Sequence, residues 1–181
     1  MTCRAQFVFA LLVILVISAP AWQRRDPLTS AETGQLRETA PEPDKRLKLY
    51  LKFIGDRIAK LDQLRSDPRL AGSDRPAQIH RLLTEVTFLT DEMDDNIDDY
   101  AQRQADLRKP LHDVIAAETG FQQKLNDLKQ AATRDPTFAA EQKAYSFVLQ
   151  DATKAVNSSL ADARKLAAEQ EVAFKARKRK K

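Results

Sequence analysis

The sequence predicts an all-α protein: an elongated antiparallel helical bundle of coiled-coil character, with a compact four-helix bundle as the alternative. Three observations predict it. Apolar residues recur three and four apart over most of the 181 residues, the mark of helices with one buried face. No segment reads as a strand. Only four glycines interrupt the pattern, and most of the eight prolines stand where a helix would start or stop.

The N-terminus reads as an export signal. Met1–Arg4 is a short basic region, and Ala5–Ala19 is apolar apart from Gln6 and Ser18. Ala19-Pro20-Ala21 then supplies an A-x-A cleavage pattern. The expectation is a signal peptide over residues 1–21, cleaved before Trp22, and an exported mature chain, periplasmic or secreted. The alternative is an uncleaved anchor, because residues 5–23 carry no charge and just suffice to span a bilayer. The single cysteine, Cys3, would leave with the signal, so a disulfide scaffold and a cysteine-based metal site are excluded.

Residues 22–42 form a polar leader. Thr29-Ser30-Ala31-Glu32 has capping-box spacing, which predicts a short helix over Ser30–Thr39, ended by Pro41 and Pro43. The helical domain spans residues 43–174. Its first helix starts at Pro43 or Asp44, carries a stripe of Leu47, Leu51, Ile54, Ile58 and Leu61, and stops at Asp67-Pro68. Residues 70–75, with Gly72, Ser73 and Asp74, form a loop.

A second stripe runs through Ile79, Leu82, Val86, Leu89, Met93, Ile97, Tyr100 and Leu107, then keeps phase across Pro110 through Leu111, Val114, Phe121, Leu125 and Leu128. A hairpin has no reason to preserve phase, and no Gly, Asn or Ser stands beside Pro110. The expectation is one long helix over residues 76–132, kinked at Pro110 and about 85 Å long at 1.5 Å per residue. Asp135-Pro136 starts the last helix, whose heptad seam is Tyr145, Leu149, Ala152, Val156, Ser159, Ala163 and Leu166. Beyond Leu166 the seam weakens, and the tail is expected to fray.

Charge separates tail from body. Residues 175–181 hold six bases, Lys175, Arg177, Lys178, Arg179, Lys180 and Lys181. Residues 22–174 hold 23 bases and 26 acids, a net of −3, which argues against a nucleic-acid-binding core. The tail suits polyanions, an anionic envelope surface first among them. The densest acidic run, Asp91, Glu92, Asp94, Asp95, Asp98 and Asp99, lacks the glycine and the bidentate acid of a calcium loop. It reads as a solvated helix face and a docking surface for a basic partner, with Met93, Ile97 and Tyr100 turned to the core.

Catalytic and cofactor patterns are missing. His80 and His112 have no glutamate three residues before them, so a bundle di-iron site is not formed. No Gly-x-Ser-x-Gly, Walker or dinucleotide-binding glycine pattern occurs. No cofactor or metal is expected. Asn157-Ser158-Ser159 matches a glycosylation sequon but lies within a helical seam.

Three stretches carry a resemblance: residues 42–50, Asp94–Pro110 with its Asn-Ile-Asp-Asp-Tyr and Leu-Arg-Lys-Pro-Leu, and Phe147–Ala152. Together they resemble exported helical bacterial proteins of no assigned activity. Leu28-Thr29-Ser30-Ala31-Glu32 is similar to the Leu-Thr-x-x-Gln motif of Spy- and CpxP-type periplasmic chaperones, with glutamate in place of glutamine. The functional expectation is an exported, non-enzymatic protein acting through protein–protein contact or self-association along its helical faces. A periplasmic holdase-like chaperone, covering unfolded clients with an apolar groove between its helices, is the alternative.

Overall fold

The computed structural model of the chain describes residues 26–67 and 74–179. The expected signal peptide, most of the 70–75 loop, and Lys180 and Lys181 lie outside the described residues. Among them the chain is all-helical: α1 (Ser30–Glu38), α2 (Pro43–Ser66), α3 (Arg75–Gln102), α4 (Arg108–Arg134), α5 (Pro136–Gln142) and α6 (Ser146–Arg179).

Most helix starts follow from local chemistry. Thr29 and Glu32 close a capping box, with Glu32 N–H donating to Thr29 Oγ1 at 3.2 Å and Thr29 N–H donating to Glu32 Oε2 at 2.8 Å. Pro43 occupies the first turn of α2, where its missing N–H is no loss. Asp135 caps α5 by accepting from Thr137 N–H at 2.8 Å, with Pro136 behind it.

The kinked rod is not formed. The chain leaves helical geometry at Arg103 and re-enters it at Arg108, so α3 and α4 are separate helices. The break is a Schellman motif. Gln104 N–H donates to Ala101 O at 2.9 Å, Ala105 N–H donates to Tyr100 O at 3.0 Å, and Gln104 takes the left-handed conformation with φ 60°. Pro110 falls in the first turn of α4, where it removes no helical hydrogen bond, and Leu111 N–H donates to Leu107 O at 2.9 Å to start the ladder. Phase survives because Leu107 and Leu111, both fully buried, still face the common core. A non-glycine residue in the left-handed region stores strain. Gln104→Gly is therefore expected to raise the unfolding free energy by about 0.5–1 kcal/mol; an unchanged or lower urea midpoint would show that Gln104 is unstrained.

The last helix is also interrupted. Ala144 and Tyr145 make tight turn bonds back to Glu141 and Gln142, which separates α5 from α6. Two side chains of α5 meet the start of α3. Buried Arg75 donates to both carboxylate oxygens of Glu141, at 2.7 and 2.8 Å, and lies 4.4 Å from the Phe138 ring centroid.

The four long helices form a closed ring: α2 packs on α3 and α4, and α6 packs on the same two. The α2–α3 pair is antiparallel, as Tyr50 with Asn96 and Arg57 with Glu85 show. The α4–α6 pair is antiparallel too, with Gln122 bonded to Asn157. Across the two hairpins, like-directed helices lie side by side. Asp44 pairs with Lys109 and Lys48 with Asp113 along α2 and α4, and Asp94 meets Ser159 between α3 and α6. This is the compact four-helix bundle, and its stripes are satisfied within one chain: Leu47, Ile54, Leu83, Met93, Leu111, Leu125 and Val156 are each at most 1% exposed. Each such side chain contributes about 1.5–3 kcal/mol by leaving water.

Candidate functional site

The acidic run and the basic tail lie at different levels of the bundle. Asp91, Asp95 and Asp98 are exposed on α3, Glu92 and Asp99 are half-buried, and Asp99 bonds Arg103 at 2.7 Å. Met93, Ile97 and Tyr100 do face the core. Asp94 departs from the solvated face: its Oδ1 accepts a 2.5 Å hydrogen bond from Ser159 of α6. The register of α3 on α6 sets this run opposite the middle of α6, about four turns short of its basic end.

That basic end is helical through Arg179, against the expectation of fraying. Ala, Glu, Gln, Lys and Arg are strong helix formers, and bases in the last turn complement the helix dipole. Gln170 anchors the start of the segment by accepting from Leu107 N–H at 2.9 Å and donating to Ala105 O at 3.2 Å. Beyond it Lys175, Arg177, Lys178 and Arg179 are all exposed. So are Val172 at 69% and Phe174 at 43%, the latter with the Arg108 guanidinium 3.5 Å from its ring centroid.

The most unusual chemistry lies in the core. Glu118 of α4 is 0% exposed and neither of its carboxylate oxygens has a hydrogen-bond partner. Ser159, also 0% exposed, lies beside it, but the one hydroxyl hydrogen goes to Asp94. Thr90, one turn before Asp94 on α3, is buried with its hydroxyl unpartnered. Burial pushes the Glu118 carboxyl up to about 8 against the lowering pull of the neighbouring Ser159 hydroxyl, and the Asp94 charge adds to the rise. Burial pushes Asp94 up to about 6 against the Ser159 hydrogen bond, and Asp91, Asp162 and Asp98 add to the rise.

The sequence contains one overlooked sign of this group. The α4 stripe steps from Val114 to Phe121, a gap of seven, and position 118 falls on the same face. A glutamate there occupies a core position. Ser159 lies on the α6 seam as expected, and its buried hydroxyl is what draws Asp94 inward.

A second polar network fixes α1. Arg57 of α2 is 5% exposed; its guanidinium holds both carboxylate oxygens of Glu32, bonds Glu85 at 3.1 Å and donates to Pro27 O at 2.9 Å. These bonds hold the Glu32 carboxyl down at about 2.

His80 and His112 are exposed, Met93 is core, and among the described residues no three His, Cys, Asp or Glu side chains are placed to hold a metal ion. A groove of about 840 Å³ runs along α4, α5 and α6 and is lined by Lys129, Gln142, Leu149, Lys154, Asn157 and Ala161 among others. Among the described residues no helix is long and apolar enough to cross a membrane. Comparison with protein-family models, with curated proteins and with solved structures finds no match to the chain.

Proposed function

We propose that this is an exported, non-enzymatic helical protein that acts through protein–protein contact and is tethered to an anionic envelope surface by the basic end of α6. One observation carries the tether: past its Gln170 anchor and the Phe174–Arg108 contact, α6 stays helical and Lys175, Arg177, Lys178 and Arg179 are all exposed, with exposed Val172 nearby. A helical end places several bases near a charged surface together, at about 1 kcal/mol each, while Val172 and Phe174 offer apolar area to its boundary.

Co-sedimentation with vesicles tests the tether. The protein is expected to bind vesicles rich in anionic phosphatidylglycerol, to bind at least about tenfold more weakly when Lys175, Arg177, Lys178 and Arg179 are all changed to Glu, and to lose binding as salt rises. Equal binding to phosphatidylcholine vesicles, or binding indifferent to the charge reversal, overturns it.

A further inference from the structure

We propose that Glu118, Ser159 and Asp94 form a proton-operated clasp that holds α3, α4 and α6 together and loosens when Glu118 loses its proton. The argument starts from hydrogen-bond supply. Ser159 has one hydroxyl hydrogen, and its Oγ donates it to Asp94 Oδ1 at 2.5 Å. An ionised Glu118 is then an acceptor with nothing to accept, sealed at 0% exposure. A buried, unpaired carboxylate is among the costliest groups a core can hold. With a proton on Glu118 the supply balances. The Glu118 hydroxyl donates to Ser159 Oγ, and Ser159 donates to Asp94, so one chain of hydrogen bonds crosses all three helices.

The surroundings favour the proton. On α3, Asp91 and Asp98 add negative charge around Asp94, with Asp95 beyond Asp91; on α6, Asp162 does the same. From α2, the register set by Lys48 with Asp113 and by Gly55 against Phe121 brings Phe53 and Ile54, both buried and apolar, to the level of Glu118. Lys165 and Glu169 line the groove over Asp94, Asp98 and Asp162 and stand outside the clasp. Loss of the Glu118 proton to solvent leaves two carboxylates sharing one serine hydrogen in the core. The helices relieve this by parting along the α4–α6 seam and admitting water.

Hydrogen exchange on the full chain tests the clasp. After correction for intrinsic exchange, protection of α4 amides from Val114 to Leu125 is expected to fall at least about tenfold between pH 5.5 and 7.5, and to stay level in Glu118→Gln. The same fall in Glu118→Gln, or no fall in the wild type, overturns the proposal. A carbon-13 titration of the wild-type Glu118 carboxyl decides independently of whether the variant folds. A midpoint above about 6.5 is expected, moving down in Asp94→Asn, and a midpoint at the ordinary glutamate value of about 4.3 refutes the clasp.

Discussion

Replacing Arg57 with alanine is expected to lower the unfolding free energy by about 3 kcal/mol or more, the cost of removing one member of a buried ion-paired group. The guanidinium is the single link among Glu32 of α1, Glu85 of α3 and the Pro27 carbonyl. Without it, Glu32 at 14% exposure loses its cation in a poorly solvated site, and Glu85 at 21% keeps only the longer Arg81 contact at 3.6 Å. Arg57→Lys retains the charge but cannot hold both Glu32 oxygens and Glu85 at once, so an intermediate loss is expected. Urea unfolding measures both. Protease cutting within α1 adds a local readout, since α1 otherwise contacts the bundle mainly through Leu36 and the Arg46 bond to Leu36 O at 3.2 Å. A loss under about 1 kcal/mol, with α1 still protected, would mean that the packing of Leu36 holds α1 unaided.

Stability is expected to peak in mildly acidic solution and fall on both sides. The Glu32 carboxyl is lowered to about 2 in the fold. Its contribution is present above the unfolded value of about 4.5 and is lost as pH falls toward 2, on the order of 3 kcal/mol. Glu118 has the opposite sign. Raised to about 8, it binds a proton in the fold that the unfolded chain releases near 4.5, so its contribution is full below 4.5 and is lost as pH rises to 8, on the order of 2–4 kcal/mol. Asp94, raised to about 6, adds to the loss over the lower part of that window. Urea midpoints from pH 2.5 to 9 at constant ionic strength measure the curve. Glu118→Gln should flatten the alkaline limb and leave the acid limb intact. A wild-type midpoint constant between pH 5 and 8 would show that the fold binds no more protons than the unfolded chain in that window, and would count against the clasp.

The elements were legible where local chemistry dictates them. Thr29 with Glu32, Pro43, the stop at Asp67-Pro68 and the Asp135-Pro136 start are each set by one to four neighbouring residues. The α3–α4 break was not. Its turn rests on Gln104 at positive φ, where the residues that advertise a left-handed cap are glycine and asparagine. The intact stripe across Pro110 suggests continuity, but in a closed ring the helices on both sides of a turn face the same core, so phase carries no information about the turn. The interruption between α5 and α6 is illegible for a different reason. It goes with Arg75, which lies 66 residues from Glu141 and carries no local sign of its partner. The clasp was half legible: Ser159 and Asp94 were placed on a seam and in an acidic run, while Glu118 was passed over because a glutamate is ordinarily assigned to the solvent side.

The in-register packing of the two hairpins has a consequence for how the chain reaches this state. Inter-hairpin pairs join residues separated by nearly the same distance along the chain: 65 for Asp44 with Lys109, Lys48 with Asp113 and Asp94 with Ser159, and 62 for Asp62 with Lys124. Loop-closure entropy grows with the length of chain enclosed, and these pairs enclose nearly the same length. Once the first such pair meets, the others are already aligned and no further large loop remains to be closed. Each hairpin can zip through its own short connection, and the docking of one against the other is a single entropic step. Folding is therefore expected to be fast for a chain of this length and to show one barrier, with the Arg103–Leu107 turn as the hinge on which the second hairpin swings into place.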